Sequence, residues 1–559
     1  MKRFLYDVAV IGSGGAGLAS ASAAAEEGAR VAVVNKGYTP HTGATIMAPG
    51  SFAAVGEAWK SPNDSKECHF RDTLAGGQYL NKQDLVKAMV EGAAEAAEKM
   101  ERMGALFQRT ENGTSYALRT DGGHSYPRSL YLGNHIGREL CGTLTGELIK
   151  RQVPIYENVF ILEILKDQNG VRGVLGLDMD TLEPLLFECA SLVLATGGAG
   201  YLYENSDNPP DLTGDGLALA LRLGLSLMDM EFVQVYPLGF LSPPSIKGAE
   251  AAYINCVRLF NAKGERFMER WNPEKIEMAT RDTLIAAIMQ EIQEGRGSPS
   301  GGVFAGFQHL TPEVMEREMP DLLETYKSIG FDPHREMLEV APTVHFTMGG
   351  VAVDENWGTP LPGLYGAGEV CGGVHGANRL SQNALTEALV SGFTAGRNAA
   401  QHALKQQKMA FSLPPSCCQG IENHISVLQK RKEGVDVEEY RRQVRKIMWE
   451  KTGILRREES LTEALTALKK LQDLPMRLEV KDSPLHVIQS FENRNMVLVG
   501  LAMTASALCR RESRGAHNRT DWPEMDNKNY LKNFYVSLRN QEIMTDCRDV
   551  ELKYMEPGC

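Results

Sequence analysis

The stretch DVAVIGSGGAGLASASAAAEEG, residues 7–28, decides the fold class of this 559-residue chain. It opens with a short apolar run that is typical of a buried parallel strand, and it ends in an alanine-rich segment that favours a helix. Between the two, Gly12 allows a tight turn, Gly14 lets the backbone approach a pyrophosphate, and Gly17 lets the helix pack closely on the strand. A second apolar run, RVAVVNK at 30–36, follows in the order expected of a dinucleotide-binding unit.

Two later strand ends extend this predicted dinucleotide site. LVLATGGAG at 192–200 ends in glycines, and GLYGAGEV at 363–370 ends close to Glu369. Three such strand ends, spread along the chain, favour a long enclosed dinucleotide and therefore FAD over NAD. Asn35 stands where an acidic ribose ligand is usual, and its amide can still hydrogen-bond a hydroxyl.

Composition excludes several other classes of protein. The length predicts two to four domains, and the formal charge of −12 argues against nucleic acid as a partner. The ten cysteines form no Cys-x-x-Cys pair, so no metal site is predicted, and reduced thiols fit a cytoplasmic protein. No apolar run reaches the ~20 residues that span a bilayer, so no direct membrane span is expected. The basic, apolar start resembles a secretory signal, but cleavage there would remove the glycine loop, and we reject that interpretation.

Four longer motifs lie outside the glycine loop. They are PTVHFTMGGVAVD at 342–354, GLYGAGEVCGGVHGANRLSQNAL at 363–385, EMATRDTL at 277–284 and ESRGAHNRTDWPEMDN at 512–527. Together they resemble the fumarate reductase and succinate dehydrogenase flavoprotein superfamily over nearly the whole chain. The resemblance implies an α/β FAD-binding Rossmann-like domain that is discontinuous, with an α+β capping domain and a C-terminal helical domain. The implied boundaries are 1–235 and 346–410 for the FAD-binding domain, 236–345 for the capping domain and 411–559 for the helical domain.

The helical domain also has support from the residues themselves. EESLTEALTALKKLQDL at 458–474 repeats leucine at helical spacing, which is typical of one buried face. The leucines concerned are Leu461, Leu465, Leu468 and Leu471. We interpret them as core residues.

The resemblance also implies catalytic residues by position. Arg281 matches the family's proton donor, and Glu250 is the implied relay that resupplies its proton. His345 and Arg379 match the pair that binds one substrate carboxylate, so that hydride can pass from flavin N5 to the β-carbon. By residue type alone, His345 would be a core histidine and Arg281 a solvated helix start.

The implied FAD-binding residues gather at the strand ends and at the start of a later helix. They are Gly12, Gly14, Gly15, Ala16, Gly17, Asn35, Lys36, Gly43, Ala44, Thr45, Gly50, Ser51, Ala195, Thr196, Gly197, Asp215, Glu369, Asn383, Ala384 and Leu385. Members that bind FAD covalently have histidine where GATIMAPGSF at 43–52 has Ala44, although His41 lies three residues earlier. Noncovalent FAD is therefore expected, with a bias toward reduction.

The stretch EFVQVYPLGF, residues 231–240, departs from the family pattern. Fumarate-active members have Gln-x-His-Pro-Thr where this chain has Tyr236 and Leu238, and a Thr-Glu pair where it has Ala249 and Glu250. The missing His and Thr serve a second carboxylate, so we expect fumarate to bind poorly and a monocarboxylate with an apolar or aromatic substituent to bind better. Urocanate-reductase-like members show a similar change from His to Tyr. The apolar strand itself is expected to break at Pro237.

These residues predict FAD-dependent reduction of the C=C bond of a small α,β-unsaturated carboxylate. One alternative is a fumarate reductase or succinate dehydrogenase flavoprotein subunit; another is a non-catalytic FAD subunit that relays electrons. Retention of Arg281, His345 and Arg379 argues against the relay, which needs no carboxylate clamp. Because the chain lacks cluster cysteines and a haem motif, an electron-donor protein is the expected partner, either an iron-sulfur subunit or a soluble carrier.

Overall fold

The computed structural model describes residues 1–120, 122–250, 256–279, 281–406, 416–480 and 483–558, without the side chains of 281–282, 321 and 416–419. The chain divides into two compact units. The first comprises Met1–Leu202, Pro209–Val233 and Thr347–Cys559, and the second comprises Tyr203–Asn208 and Gln234–Phe346. The second unit thus overlaps the capping domain expected at 236–345. The first contains both the FAD-binding and the helical stretches, so the boundary between those two stays a prediction.

The strands are numbered in chain order. They are β1 (Lys2–Leu5), β2 (Val8–Ile11), β3 (Val31–Val34), β4 (Phe52–Ala53), β5 (Leu118–Arg119), β6 (Ser129–Leu130), β7 (Ile155–Tyr156), β8 (Val159–Asp167), β9 (Gly170–Asp178), β10 (Pro184–Glu188), β11 (Ser191–Leu194), β12 (Leu227–Met228), β13 (Val233–Phe240), β14 (Arg258–Phe260), β15 (Val303–Gly306), β16 (Leu338–Thr347), β17 (Gly350–Ala352), β18 (Leu364–Gly366), β19 (Cys371–Gly372), β20 (Val435–Asp436), β21 (Leu455–Arg456), β22 (Met476–Arg477), β23 (Asn518–Arg519), β24 (Lys532–Arg539) and β25 (Glu542–Asp549).

The helices are numbered in the same way. They are α1 (Gly15–Glu26), α2 (Lys66–Gly76), α3 (Gln83–Met103), α4 (Ile136–Lys150), α5 (Asp215–Arg222), α6 (Met268–Trp271), α7 (Arg281–Gln293), α8 (Pro312–Glu318), α9 (Pro320–Ser328), α10 (Asn383–Lys405), α11 (Ser416–Lys430), α12 (Val437–Thr452), α13 (Glu458–Asp473), α14 (Pro484–Cys509) and α15 (Asn527–Tyr530).

A parallel sheet organises the first unit. Its strand order is β18-β11-β2-β3-β7, and every neighbouring pair is parallel. Strands β2, β3 and β11 are fully buried, as their continuous Val, Ala, Ile and Leu runs predict for a sheet covered on both faces. Because the strands run the same way, their carboxyl ends meet at one edge, where ligands bind in folds of this kind.

Helix α10 packs against α1 through glycines. A Cβ at Gly392 would lie 2.6 Å from the carbonyl oxygen of Ala16, and one at Gly396 would lie 2.1 Å from that of Ser20. No larger residue fits at either position without moving backbone, so the two helices approach more closely than ordinary side chains allow. This packing fixes the middle of α10 beside the first half of α1.

The second unit is built on a four-stranded sheet of order β13-β16-β15-β14. Its core contains buried apolar residues of the strands and of α7–α9, among them Leu238, Phe240 and Tyr326. The expectation that the strand breaks at Pro237 is wrong, because β13 continues to Phe240. The reason is its position: β13 is an edge strand, where a residue that lacks an N–H is tolerated.

The C-terminal helices α12, α13 and α14 pack on one another. Leu461, Leu468 and Leu471 are buried on α13, as predicted, whereas Leu465 is half-buried and Ala464 takes the interior position. None of the helices in the described ranges, α14 included, is both long and apolar enough to cross a membrane. None of the seven described cysteines forms a disulfide.

Candidate active site

The glycine loop between β2 and α1 is shaped to take a ligand against its backbone. Gly12 has a φ of +105°, and a Cβ there would lie 2.2 Å from the carbonyl oxygen of Ala195. A Cβ at Gly17 would lie 2.0 Å from the carbonyl oxygen of Gly12. The start of α1 has no side-chain cap and no acidic residue in its first turn, so its N–H groups suit an anion such as a pyrophosphate. Gly15 N–H donates to Thr45 Oγ1 at 3.1 Å.

The predicted strand ends come together at the edge of the parallel sheet. Gly12 N–H donates to Val34 O at 2.9 Å, and Ala195 N–H donates to Ile11 O at 2.8 Å. Asn35 follows directly after β3, and its side chain is 7% exposed. Ala367, just after β18, donates its N–H to Leu194 O at 2.8 Å. The three strand ends assigned to one dinucleotide site, those of β2, β11 and β18, therefore lie side by side in the sheet, with β3 next to them.

Two buried hydroxyls, one beside the start of α10 and one just after β11, test whether the residues fit FAD. Ser51 Oγ and Thr196 Oγ1 have no hydrogen-bond partner in the described part of the chain. Because a buried hydroxyl without a partner costs about 1–3 kcal/mol, a bound group that supplies the missing bonds fits both positions. The backbone of the same segment is held separately, since Ser51 N–H donates to Gln382 Oε1 at 2.7 Å. The site thus combines an open glycine loop with unsatisfied hydroxyls, as a bound dinucleotide requires.

Lys36 and Asp215 contact each other. Lys36 Nζ donates to Asp215 at 2.8 Å and to Glu492 of α14 at 2.7 Å. Burial alone would lower the pKa of Lys36, but the charges of the two carboxylates outweigh it and raise that pKa. Burial likewise would raise the pKa of Asp215, and the charge of Lys36 turns the shift downward. The ion pairs tie the edge of the sheet to the C-terminal helices, and a direct bond from either residue to FAD stays a prediction.

Six other predicted cofactor positions lie at helix starts or at turns, and two of their side chains are held by bonds within the protein. Glu369 Oε1 accepts the N–H of Thr347 at 3.0 Å. Asn383 is fully buried, and its Oδ1 lies 2.8 Å from Nε2 of His69. Ala384 and Leu385 follow it in the first turn of α10. Gly43 and Ala44 lead into the 3₁₀ turn Thr45–Met47, and Gly43 has a φ of +87°.

A histidine between two carboxylates forms the centre of the second unit's polar cluster. His345 Nδ1 lies 2.7 Å from Asp207 Oδ2 and 3.1 Å from Glu250 Oε1. Because an ionised carboxylate can only accept, Nδ1 carries the proton and donates it. His345, Asp207 and Glu250 each offer one atom that could bind a metal ion, and these three atoms lie within 4.8 Å of one another. The distances from Nδ1 to the two carboxylates are, however, those of hydrogen bonds.

The protonation of His345 follows from these neighbours. Burial alone would lower its pKa, but the charge and hydrogen bond of Asp207, and then those of Glu250, raise it to about 10. Burial raises the pKa of Asp207, although the charge of His345 opposes that shift. His345 is therefore an imidazolium at neutral pH, a charged donor suited to a substrate carboxylate.

Tyr236 belongs to the same unit. It lies on β13, is 8% exposed, and its ring centroid is 6.3 Å from that of His345. Leu238, the other changed position of this motif, and Phe240 at the end of β13 are 0% and 2% exposed within the core of the unit. Of these three aromatic or apolar residues, Tyr236 is the one beside the polar cluster.

The remaining predicted catalytic residues are placed less fully. Arg281 begins α7, but its side chain lies outside the described residues, so the relay from Glu250 to Arg281 stays a prediction. Arg379 lies in the first unit, shortly before α10. Its pairing with His345 on one carboxylate also stays a prediction.

Sequence reasoning missed Asp207. It lies in YENSDN, residues 203–208, which reads as a polar turn. The structure joins this segment to β16: Asp207 N–H donates to Val344 O at 3.1 Å, and Asn208 Nδ2 donates to His345 O at 2.9 Å. The pairing connects residues far apart in the chain, so no local pattern could have shown it.

Two family models match this chain. The family described as "FAD binding domain" matches residues 7–385, and the one described as "Fumarate reductase flavoprotein C-term" matches residues 441–558. A fumarate reductase (CoM/CoB) subunit of Methanothermobacter marburgensis is 38% identical over 533 residues, which cover 94% of this chain and 96% of that protein.

Solved structures agree as well. Mycobacterium smegmatis Sdh1 in complex with UQ1 superposes with a TM-score of 0.92 at 32% identity, covering 99% of this chain and 96% of that one. A variant of Escherichia coli quinol fumarate reductase FrdA superposes with a TM-score of 0.89 at 30% identity, covering 100% and 99%. The chain therefore belongs to the fumarate reductase and succinate dehydrogenase flavoprotein family, and it is an FAD-dependent oxidoreductase that acts on CH–CH groups.

Proposed function

We propose that this protein reduces the C=C bond of a small α,β-unsaturated monocarboxylate that carries an apolar or aromatic substituent. The observation that carries this proposal is Tyr236. It stands where fumarate-active members of the family have histidine, and its ring centroid lies 6.3 Å from that of His345. A phenol offers a single O–H and no positive charge to a second carboxylate.

The free-energy cost of replacing this histidine supports a change of substrate. A buried carboxylate that lacks a hydrogen-bond partner costs about 1–3 kcal/mol per missing bond, and more when the partner was charged. Tyr236 is largely buried, so solvent does not compensate. A substrate with one carboxylate avoids this cost and can place an apolar group against the ring instead.

The chain's own residues take four roles in the proposed reaction. His345 and Arg379 bind the single carboxylate, His345 as a charged donor and Arg379 as a planar bidentate fork. Arg281 gives a proton to the α-carbon, and Glu250 resupplies it. When bound and reduced by the electron-donor protein, the flavin would supply the hydride that the β-carbon receives. The bound carboxylate withdraws electron density from the double bond, so the β-carbon accepts hydride more readily.

The cofactor is proposed to bind noncovalently. Ala44 occupies the position where covalent members of the family have histidine, and a methyl group cannot form the linkage. The seven cysteines whose side chains the structure describes are free thiols, as the proposed cytoplasmic location requires.

A second candidate is a fumarate reductase flavoprotein subunit that works with an iron-sulfur subunit. The names of the relatives favour it, since the Methanothermobacter protein is named as part of a CoM/CoB fumarate reductase. In this case Tyr236 would contact fumarate, and electrons would come from the partner subunit. For the monocarboxylate reductase, either an iron-sulfur protein or a soluble carrier serves as the electron donor.

Replacing Tyr236 with His tests the choice between the two. We expect Tyr236→His to raise kcat/KM for fumarate about tenfold or more relative to kcat/KM for cinnamate, because a charged hydrogen bond to the second carboxylate is worth roughly 1.5–3 kcal/mol. The ratio of the two substrates removes any loss of folded enzyme. Tyr236→Phe is the matched control, which keeps the ring and is expected to leave the ratio unchanged. An unchanged ratio in Tyr236→His would refute the proposal.

A further inference from the structure

Asp207 reaches His345 from a separate part of the chain. The six residues Tyr203–Asn208 belong to the second unit, whereas the residues on either side of them belong to the first. Val344 N–H donates to Asn205 O at 2.9 Å, and Ser206 forms a parallel bridge with Val344. The segment therefore acts as a short additional strand beside β16.

Several bonds fix the carboxylate of Asp207. Asn208 Nδ2 donates to Asp207 Oδ1 at 2.9 Å, while the backbone N–H of Asp207 donates to Val344 O. Asn208 N–H donates to Ser206 Oγ at 3.1 Å, which closes the turn. The side chain of Asp207 is 10% exposed. Bonds to its backbone N–H and to its Oδ1 thus fix Asp207, and its Oδ2 faces His345.

The two carboxylates beside His345 are not equivalent. Asp207 is closer to Nδ1, at 2.7 Å against 3.1 Å, and is more buried than Glu250, whose side chain is 26% exposed. A group that exchanges protons needs access and must spend part of the cycle neutral. When Glu250 carries a proton it no longer balances the charge of His345, and Asp207 is then the remaining carboxylate on Nδ1.

We propose that Asp207 is a positioning residue for the reaction: its hydrogen bond holds the ring of His345 in place as a charged donor while Glu250 is left to exchange the proton. This inference rests on the proposed function in one respect, that His345 binds a substrate carboxylate. It holds for a monocarboxylate and for fumarate alike.

The proposal predicts a distinctive pH dependence. Among the described residues, the titratable groups that face His345 are Asp207, Glu250 and Tyr236. His345 has a raised pKa, so its charged form is fully present at neutral pH and is lost as the pH rises toward 10. Without the charge of Asp207, Glu250 is the one carboxylate left beside Nδ1, so the pKa of His345 falls and the loss of its charge moves to lower pH. Carboxylate binding in the variant should therefore be retained in acid and lost in mild base.

The test measures binding of saturated acids to the FAD-loaded enzyme. Succinate and 3-phenylpropanoate are titrated into wild type and Asp207→Asn, with the flavin absorption spectrum as readout. At about pH 9 we expect the Kd of whichever acid binds wild type more tightly to rise about tenfold or more in Asp207→Asn, and at about pH 6 to stay within roughly threefold of wild type. Asp332→Asn, at a half-buried aspartate of the same unit whose side chain is 46% exposed, is the matched control and should bind like wild type.

Other outcomes overturn the proposal. If Asp207→Asn binds the acid equally weakly at both pH values, Asp207 has a structural role. If its Kd matches wild type at both, Asp207 has no role in binding. If Asp207→Asn does not fold, the wild-type titration decides: the proposal requires a Kd that is flat from about pH 6 to about pH 9, and a transition near pH 6.5 contradicts it. Failure of the proposed function is separate, because it would appear in the turnover of wild type, either as no turnover of any unsaturated acid or as turnover that is fastest with fumarate.

Discussion

Replacing Arg281 with Gln is expected to lower the rate of C=C reduction by about 10²- to 10⁴-fold, the usual contribution of a general acid. The amide of Gln keeps a similar length and polarity but cannot give up a proton at neutral pH. The measurement is the rate at which an unsaturated acid reoxidises the chemically reduced flavin. Arg281→Lys should retain more activity than Arg281→Gln, because an ammonium can donate a proton but lacks the planar fork.

The control for this experiment lies in the same unit. Arg317 on α8 is 69% exposed and pairs with Glu318 at 2.8 Å, so Arg317→Gln should keep the wild-type rate. FAD content should match wild type in all three variants. If Arg281→Gln keeps more than about a tenth of the wild-type rate, Arg281 is not the proton donor.

A large loss of bound FAD is expected from a substitution in the glycine loop. In Gly17→Ala the new methyl group would lie 2.0 Å from the carbonyl oxygen of Gly12, a distance that only backbone movement can relieve. Gly12 is itself in contact with Ala195, so the movement would open the edge of the sheet. We expect purified Gly17→Ala to carry less than about a tenth of the wild-type FAD, read from the flavin absorbance per polypeptide.

A glycine on another helix provides the comparison. Gly142 lies within α4, and a Cβ there would meet no atom within 4 Å. Gly142→Ala should therefore keep its FAD and gain about 0.5–1 kcal/mol of stability from the lower entropy of the unfolded chain. If Gly17→Ala kept full FAD content, close packing at the loop would not be what forms the site.

Much of the first unit could be predicted because its signals are local. The apolar runs of β2, β3 and β11 and the glycines between strand and helix need no distant partner to be recognised. The break expected at Pro237 was wrong because the tolerance for proline depends on β13 being an edge strand, which only the assembled sheet determines. Leu465 was predicted to be a core residue, but the neighbouring Ala464 is the buried residue on this face of α13 and Leu465 is half-buried.

The polar cluster was predicted in part. The resemblance assigned His345 and Glu250, and the structure brings their side chains within 3.1 Å. Asp207 was not predicted, because its role depends on bonds to β16, which lies more than a hundred residues later in the sequence. Glu250 was expected to serve Arg281, and its contact with His345 adds a second partner that no spacing rule predicts.

Competition between substrates in the wild-type enzyme decides whether one carboxylate or two are preferred. The enzyme is reduced chemically without oxygen and mixed with fumarate, crotonate or cinnamate at equal concentrations, and the rate of flavin reoxidation is measured. We predict that at least one monocarboxylate reoxidises the flavin about tenfold or more faster than fumarate, because Tyr236 offers no charged partner to a second carboxylate. A rate that is highest with fumarate would contradict the proposed monocarboxylate reductase and establish the fumarate reductase function in its place.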